Sequence, residues 1–330
     1  MKSSAAQVVR IGIVVATLSL LVSAAPLSPG DAAPRPVATP DRAARPVTAT
    51  TSADPVVAAA GDIACDPDGG AFHGGLGTST LCRQKAVSNL LVNAGLAAVL
   101  PLGDEQYTAG ELSDFSRSYD LSWGRVLGIT HPTPGNHEYV TAGAAGYYDY
   151  FGTRAGQRAA GYYSYDIGRW HLIALNAQCT YVSCAPGSAQ LNWLGADLAA
   201  HPTSCTLAYW HQPRFSSGHH GSDPKYDGFW RTLYAAGADI VLNGHDHDYE
   251  RFAPQNPSGQ ADGVRGIREF VVGSGGTSHY DFQVPVANSQ VRQNSTFGVL
   301  KLTLHPTSYD WSFVPESGKS FHDTGTGRCH

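Results

Sequence analysis

The chain is poor in charge: charged residues are 15% of its 330 positions against 42% hydrophobic, and there is a single Met. That balance excludes disorder over the whole chain and permits a sizeable core. Long apolar runs are missing. The longest, Ile11 to Val22, falls short of the ~20 residues a membrane-spanning helix needs. A basic excess is missing too. Lys+Arg 22 against Asp+Glu 27 gives a formal charge of -5, which argues against a protein that coats nucleic acid. No Cys-x-x-Cys occurs, which disfavours a zinc ribbon or a thioredoxin-like site. The glycine-rich stretches 69–75 and 273–276 are not followed by Gly-Lys-Ser/Thr, so neither is a P-loop. Gly273-Ser274-Gly275 lacks the full elbow pattern of a serine hydrolase.

What is present begins with an export signal. Lys2 and Arg10 precede the apolar run, and the small residues Ser23-Ala24-Ala25 follow it. This predicts a secretory signal peptide over residues 1–25. Residues 26–54 are mostly Ala, Pro, Thr and Arg without an apolar period, which predicts a disordered linker. The folded domain is then 55–330, secreted, with no stable membrane span after cleavage. The six cysteines all lie in it, and an even count in an oxidising compartment predicts disulfides. The close pairs Cys65/Cys82 and Cys179/Cys184 are the simplest choices, leaving Cys205 for Cys329.

Short apolar runs bounded by turn signals read as buried strands. Five end in polar residues: 56–60 in Gly61-Asp62, 97–102 in Gly103-Asp104, 129–134 in Gly135-Asn136-His137-Glu138, 206–210 in His211, and 238–242 in Asn243-Gly244-His245-Asp246-His247. Helical spacing covers 80–94, 188–200 with Ser188 as N-cap, and 224–236 with Pro at its start and Gly237 at its end. Runs 162–167 and 170–176 predict a hairpin, as do 298–304 and 308–314. Alternating strands and helices imply α/β layering with mixed sheets.

In open α/β sheets ligands bind beyond the carboxyl ends of the strands. One Asp there is an ordinary turn residue; Asp, Asp, Asn-His, His and His-x-His at five such ends are a pattern. Mixed carboxylate, amide and imidazole donors suit zinc, manganese or iron better than calcium. There are too many for one tetrahedral ion, and the set suits two metals about 3.5–4 Å apart sharing a carboxylate.

These five blocks, in order, resemble the motifs of the calcineurin-like metallophosphoesterases over about residues 55–315. The first block is Asp62-Ile63-Ala64, where most of that superfamily has Asp-x-His. The second, Gly103-Asp104-Glu105-Gln106-Tyr107, is similar to the Gly-Asp-x-x-Tyr of purple acid phosphatases, in which the tyrosine replaces that histidine and holds ferric iron. The resemblance is expected to be to a compact member, without the separate N-terminal β-sandwich of larger plant-type members. It implies an α/β, four-layer sandwich of two mixed β-sheets flanked by helices, with the metal site at the carboxyl ends of the strands. It also implies two metal ions: Fe(III) at Asp62, Tyr107 and His247, and Fe, Zn or Mn at Asn136, His211 and His245, with Asp104 bridging. His137, and His219 ahead of His220, are expected to bind phosphate and protonate the leaving group. Glu138 and Asp246 are expected to orient imidazoles, and Arg214 and Arg251 to solvate the rim. His73, His131, His171, His201, His279, His305, His322 and His330 lie outside the motif blocks and are read as structural.

The implied function is a secreted phosphatase that hydrolyses monoesters of small molecules by in-line attack of hydroxide held by the dinuclear centre. A phosphodiesterase or nucleotide hydrolase on the same metals, and a non-catalytic secreted metal- or phosphate-binding protein, are the alternatives.

Overall fold

Val56–Ala60 (β1) consists of small apolar residues, and all but the first are buried. It can therefore sit inside a sheet, between a parallel and an antiparallel neighbour. In the computed structural model, which describes residues 53–203 and 205–330, β1 pairs in parallel with β2 (Ala98–Pro101) and antiparallel with β10 (Gly298–His305). Strands β11 (Ser308–Pro315) and β12 (Thr324–Arg328) extend this first sheet to the order β12-β11-β10-β1-β2. The expected signal peptide and all but the end of the expected linker lie outside the described residues.

The second sheet has the order β3-β4-β5-β6-β8-β7-β9. Its strands are β3 (Tyr163–Ile167), β4 (Trp170–Ala174), β5 (Cys205–Tyr209), β6 (Ile240–Asn243), β7 (Tyr249–Phe252), β8 (Arg268–Val272) and β9 (Ser289–Gln293). β4, β5, β6 and β8 run parallel, while β3, β7 and β9 are antiparallel to their neighbours. The parallel strands are largely apolar because both faces are buried, with His171 in β4 and Glu269 in β8 as buried polar exceptions. Leu172, Leu207, Ile240 and Leu242 join the core shared with the first sheet. Ile173, Ala208 and Val241 pack on Leu191, Leu194, Phe229 and Trp230 of the helices Ala189–Ala200 and Asp227–Ala235. Val87, Phe115, Trp123 and Tyr147, from short helical segments, complete the core of the first sheet. The result is two mixed sheets with helices outside them. Among the described residues no helix is long and apolar enough to cross a membrane.

Both expected hairpins form, β3/β4 and β10/β11. Ser188 caps its helix by accepting the Leu191 N–H at 3.3 Å. Two expectations change. The helix over 80–94 shortens to Gln84–Ser88, because Cys82 takes a positive φ of 61° and is tied to Cys65, and Asn93 and Gly95 also leave the helical region. The run 129–134 is not a strand and makes only one bridge, Thr130 to Val99. The disulfides are Cys65–Cys82, Cys179–Cys184 and Cys205–Cys329.

Candidate metal centre

The carboxyl ends of β1 and β2 meet those of β5, β6 and β8, and the two sheets are joined there. Gly61 N–H donates to Val272 O at 2.9 Å. The Leu102 carbonyl accepts from His211 Nδ1 at 2.8 Å across 109 residues of sequence. A carbonyl only accepts, so Nδ1 carries a proton and Nε2 is the ring nitrogen turned inward.

Each buried carboxylate uses one oxygen to grip the backbone of another motif and leaves the other free. Asp62 Oδ2 accepts the His245 N–H at 2.8 Å, and Asp104 Oδ1 accepts the His137 N–H at 2.9 Å. Close approach of backbone makes this possible: a Cβ on Gly135 would lie 2.1 Å from Asp104 Oδ1. Asp62, Asp104 and His245 all adopt left-handed backbone, with φ of 61°, 49° and 72°. Such conformations are unfavourable for residues other than glycine, and they persist where surrounding structure enforces them, often at functional sites.

The free oxygens converge. Tyr107 Oη lies 3.0 Å from Asp62 Oδ1, 3.2 Å from Asp104 Oδ2 and 3.0 Å from His247 Nε2. His247 Nε2 is 3.3 Å from Asp62 Oδ1, and its Nδ1 meets Ser278 Oγ at 2.7 Å. Asp104 Oδ2 also lies 3.2 Å from His211 Nε2, which in turn is 3.2 Å from Asn136 Oδ1 and 3.3 Å from His245 Nδ1. One oxygen of Asp104 is therefore shared by two donor groups. All seven expected donors come together: Asp62, Tyr107 and His247 on one side of Asp104, and Asn136, His211 and His245 on the other.

The donor set fits cations. Asp62 and Asp104 are almost wholly buried, and among the described residues no Lys or Arg pairs with either. Buried charge needs compensation. The single Tyr107 proton cannot satisfy both facing carboxylate oxygens, Asp62 Oδ1 and Asp104 Oδ2. Without ions the imidazoles take the load. Burial opposes it, but His247 holds Asp62, and His211 holds Asp104, below the usual carboxylate range. Burial opposes charge on His211 too, yet Asp104 pushes it up to about 9. Burial, then Asp104 and Asp62, raises the Tyr107 phenol well above its ordinary value, so only a strong Lewis acid would ionise it.

His137 stands at the mouth. Its Nδ1 meets the Thr108 carbonyl at 2.6 Å and its Nε2 lies 3.9 Å from Asp104 Oδ2. The His220 ring stacks on His245 at 4.2 Å, whereas His219 meets His220 and Tyr280 at 5.1 and 5.4 Å. Of the two, His220 therefore lies nearer the donor cluster.

Other expectations also need correction. Glu138 touches no imidazole; it accepts backbone N–H bonds from Asp104 at 3.0 Å, Gln106 at 3.2 Å and Gly135 at 2.7 Å, fixing two motif turns against each other. Burial, then Asp104, pushes Glu138 up to about 7, and burial with Glu138 raises its neighbour Glu105 well above the carboxylate range. Arg214 is bound to Asp227, and Arg251 to Asp323 at 2.7 Å, so neither lies free on the rim. Two residues were missed by sequence reasoning. Tyr280 stacks on His247 at 3.9 Å, and His279, read as structural, holds the His247 carbonyl at 3.2 Å. The signal available for both was the glycine-rich turn after β8, whose Thr277 N–H binds Asp62 O at 3.0 Å.

The family model for calcineurin-like phosphoesterases matches residues 73–249, more than half of the chain. The chain belongs to this family. The match includes every donor except Asp62. Purple acid phosphatase 15 of Arabidopsis thaliana is 31% identical over 148 residues, which is 39% of this chain and 27% of that protein. Purple acid phosphatase 21 of the same plant is 35% identical over 99 residues, 28% of this chain and 22% of that protein. The matched segments thus span about a quarter of those relatives. Among solved structures, purple acid phosphatase PPD1 from yellow lupin (Lupinus luteus) seeds has a TM-score of 0.65 at 20% identity, covering 83% of this chain and 54% of that one. GAP50, the anchor in the inner membrane complex of Plasmodium, has a TM-score of 0.60 at 14% identity, covering 84% and 90%. At these identities the two structures share the fold alone with this family member.

Proposed function

We propose that this calcineurin-like phosphoesterase is a secreted, metal-dependent phosphatase that hydrolyses phosphate monoesters of small molecules. One observation carries the reading: Asp104 Oδ2 lies between two complementary donor groups, as a bridge between two ions requires. Asp62, Tyr107, His247 and Asp104 would hold Fe(III); Asn136, His211, His245 and Asp104 would hold Fe, Zn or Mn. Bound there, a pair of cations lowers the pKa of water and offsets charge on the phosphoryl oxygens during in-line displacement. His137, with Nδ1 anchored on Thr108, directs Nε2 toward the cluster, within reach of a phosphoryl oxygen. His220, over His245, is the nearer imidazole for the leaving group, with His219 outside it. Export is supported by the N-terminal sequence pattern and by six cysteines that are all paired.

Likeness of fold to an anchor such as GAP50 carries no activity to this chain; the donor cluster is what supports hydrolysis. The test is a rate comparison between p-nitrophenyl phosphate and bis-p-nitrophenyl phosphate, on protein whose metal content has been measured. Faster monoester hydrolysis with two ions per chain is expected. A strong diester preference would move the assignment to a phosphodiesterase, and ion-loaded protein inert to a broad ester panel would make it a binding protein.

Tyr107 gives an optical check. Iron-loaded protein is expected to absorb visible light by phenolate-to-iron charge transfer, and Tyr107→Phe to bleach it. A spectrum unchanged by the substitution would remove Tyr107 from the ligands.

A further inference from the structure

β4 runs parallel beside β5, and the Leu175 N–H donates to Tyr209 O at 2.9 Å, which brings the end of β4 alongside His211. Ligands gather at such strand ends, yet none of the expected donors comes from this one. It carries Asn176, wholly buried, which bonds in two directions. Its Nδ2 donates to the Tyr139 hydroxyl at 2.7 Å, and its Oδ1 accepts the Gln178 N–H at 3.0 Å. Tyr139 follows Asn136 and His137 in the short helical turn Glu138–Val140. Gln178 opens a small loop closed by the Cys179–Cys184 disulfide, and its carbonyl accepts the N–H groups of Tyr181 and Val182 at 2.8 and 2.9 Å. One side chain thus sets the motif turn and the loop against each other, and their rings meet. Tyr181 stacks on Tyr139 with centroids 4.5 Å apart and planes inclined by 24°. Tyr139 is 5% exposed and Tyr181 59%, so the inner ring is packed away while the outer one lies open to solvent.

Two amides run between this ring and the donor cluster. Gln178 Nε2 donates to Gln212 Oε1 at 3.0 Å, and Gln212 Nε2 to Asn136 Oδ1 at 3.4 Å. Asn136 Oδ1 in turn lies 3.2 Å from His211 Nε2. Outward from the cluster the surface therefore passes from metal donors to neutral amides and then to a bare aromatic face. A nucleoside monophosphate carries matching groups in the same order: an anionic phosphate, a sugar with hydroxyls, and a flat heteroaromatic base. We propose that Tyr181 is a platform on which the base of the leaving group stacks, so that the monoesters this centre prefers are nucleoside monophosphates. This rests on the phosphatase reading above and names its substrate class. Every base has a π-face, so a stacking platform selects for the presence of a base more than for its identity. The disulfide and the two hydrogen bonds to the Gln178 carbonyl hold the loop before substrate arrives, which limits the ordering that binding has to impose. A leaving group without a ring gains nothing at Tyr181.

The experiment compares adenosine monophosphate with the ribose phosphate in which a hydroxyl replaces the base. Both esters release a primary alcohol of the same sugar, so the base is the difference between them. Steady-state kcat and KM are measured on wild type, Tyr181→Ala, Tyr181→Phe and Tyr181→Trp, with bound ions counted in each. Tyr181 is exposed, so the fold should tolerate all three changes. Wild type is expected to favour the nucleotide in kcat/KM by about 10-fold or more, and Tyr181→Ala to lower that ratio about 10-fold. The change should fall on KM for the nucleotide, because stacking is equal in the ground and transition states. Phenylalanine and tryptophan keep a ring and should keep the ratio. A tyrosine that merely propped Tyr139 would behave otherwise: its removal would disturb the turn carrying Asn136 and His137, and both esters would slow together in kcat. That outcome, no preference in wild type, loss of an ion in Tyr181→Ala, or Tyr181→Phe behaving as Tyr181→Ala would overturn the platform. Failure of the phosphatase reading looks different: ion-loaded wild type would hydrolyse neither ester. Calorimetric binding of adenosine monophosphate then still decides the platform, and equal affinity in wild type and Tyr181→Ala would end it.

Discussion

Asp104→Ala is expected to strip the chain of both ions and to lower kcat/KM about 10⁴-fold. Loss of even an outer partner of a ligand costs about 10–100-fold in metal affinity or activity, and a bridge serves two ions at once, so a loss of about 100-fold at each compounds. The carboxylate has no understudy. Its Oδ2 is the atom common to the Tyr107 and His211 sides, and its Oδ1 holds the His137 N–H in place. Asn136→Ala makes the contrast, since Asn136 Oδ1 adjoins only the His211 side. That variant should lose one ion and keep the colour of an iron-loaded centre. Elemental analysis per chain, with steady-state kinetics, checks both. Two ions retained in Asp104→Ala would end the bridged-centre reading.

The second large effect is an inversion of sign with pH. In metal-free protein the His211 pKa, opposed by burial but raised by Asp104, stands at about 9 against 6.5 for the ordinary group. A histidine raised in this way stabilises the fold fully below pH 6.5 and loses that contribution as pH climbs through 9. Metal-free protein should therefore lose on the order of 3 kcal/mol between those limits. Glu138, an acid raised from 4.5 to about 7, adds the same sign lower down, between pH 4.5 and 7. Ion-loaded protein should run the other way. His211 Nε2 has to shed its proton to ligate, so ion binding and the stability it brings grow through the window in which the metal-free fold weakens. Urea unfolding at several pH values, with and without ions, measures both slopes. Parallel slopes would take His211 out of the site.

Much of this site was legible because its chemistry is written locally. Gly-Asp, Gly-Asn-His and Gly-His-x-His each follow an apolar run, and the glycines admit the close backbone approach seen at Gly135. The Ser188 cap and the two hairpins were legible for the same reason, since caps and tight turns depend on neighbouring residues. The helix expected over 80–94 failed where a distant constraint intervened. Cys82 is bound to Cys65 and its N–H donates to Thr277 O at 2.9 Å, so helical spacing yielded to tertiary bonds. Glu138 offered no local hint of its role, because the peptide groups it binds come partly from a turn more than thirty residues away.

By itself the sequence determined the kinds of donor, their order and their station at strand ends, because residue chemistry and the period of apolar runs are local properties. Only the tertiary structure decided which oxygen of Asp104 is shared, that His220 rather than His219 leans on the cluster, and that Tyr280 covers His247. Those outcomes depend on how two sheets meet and on which backbone groups the buried carboxylates hold. Such contacts join residues far apart along the chain, as Leu102 and His211 are, and no window of neighbouring residues contains both partners.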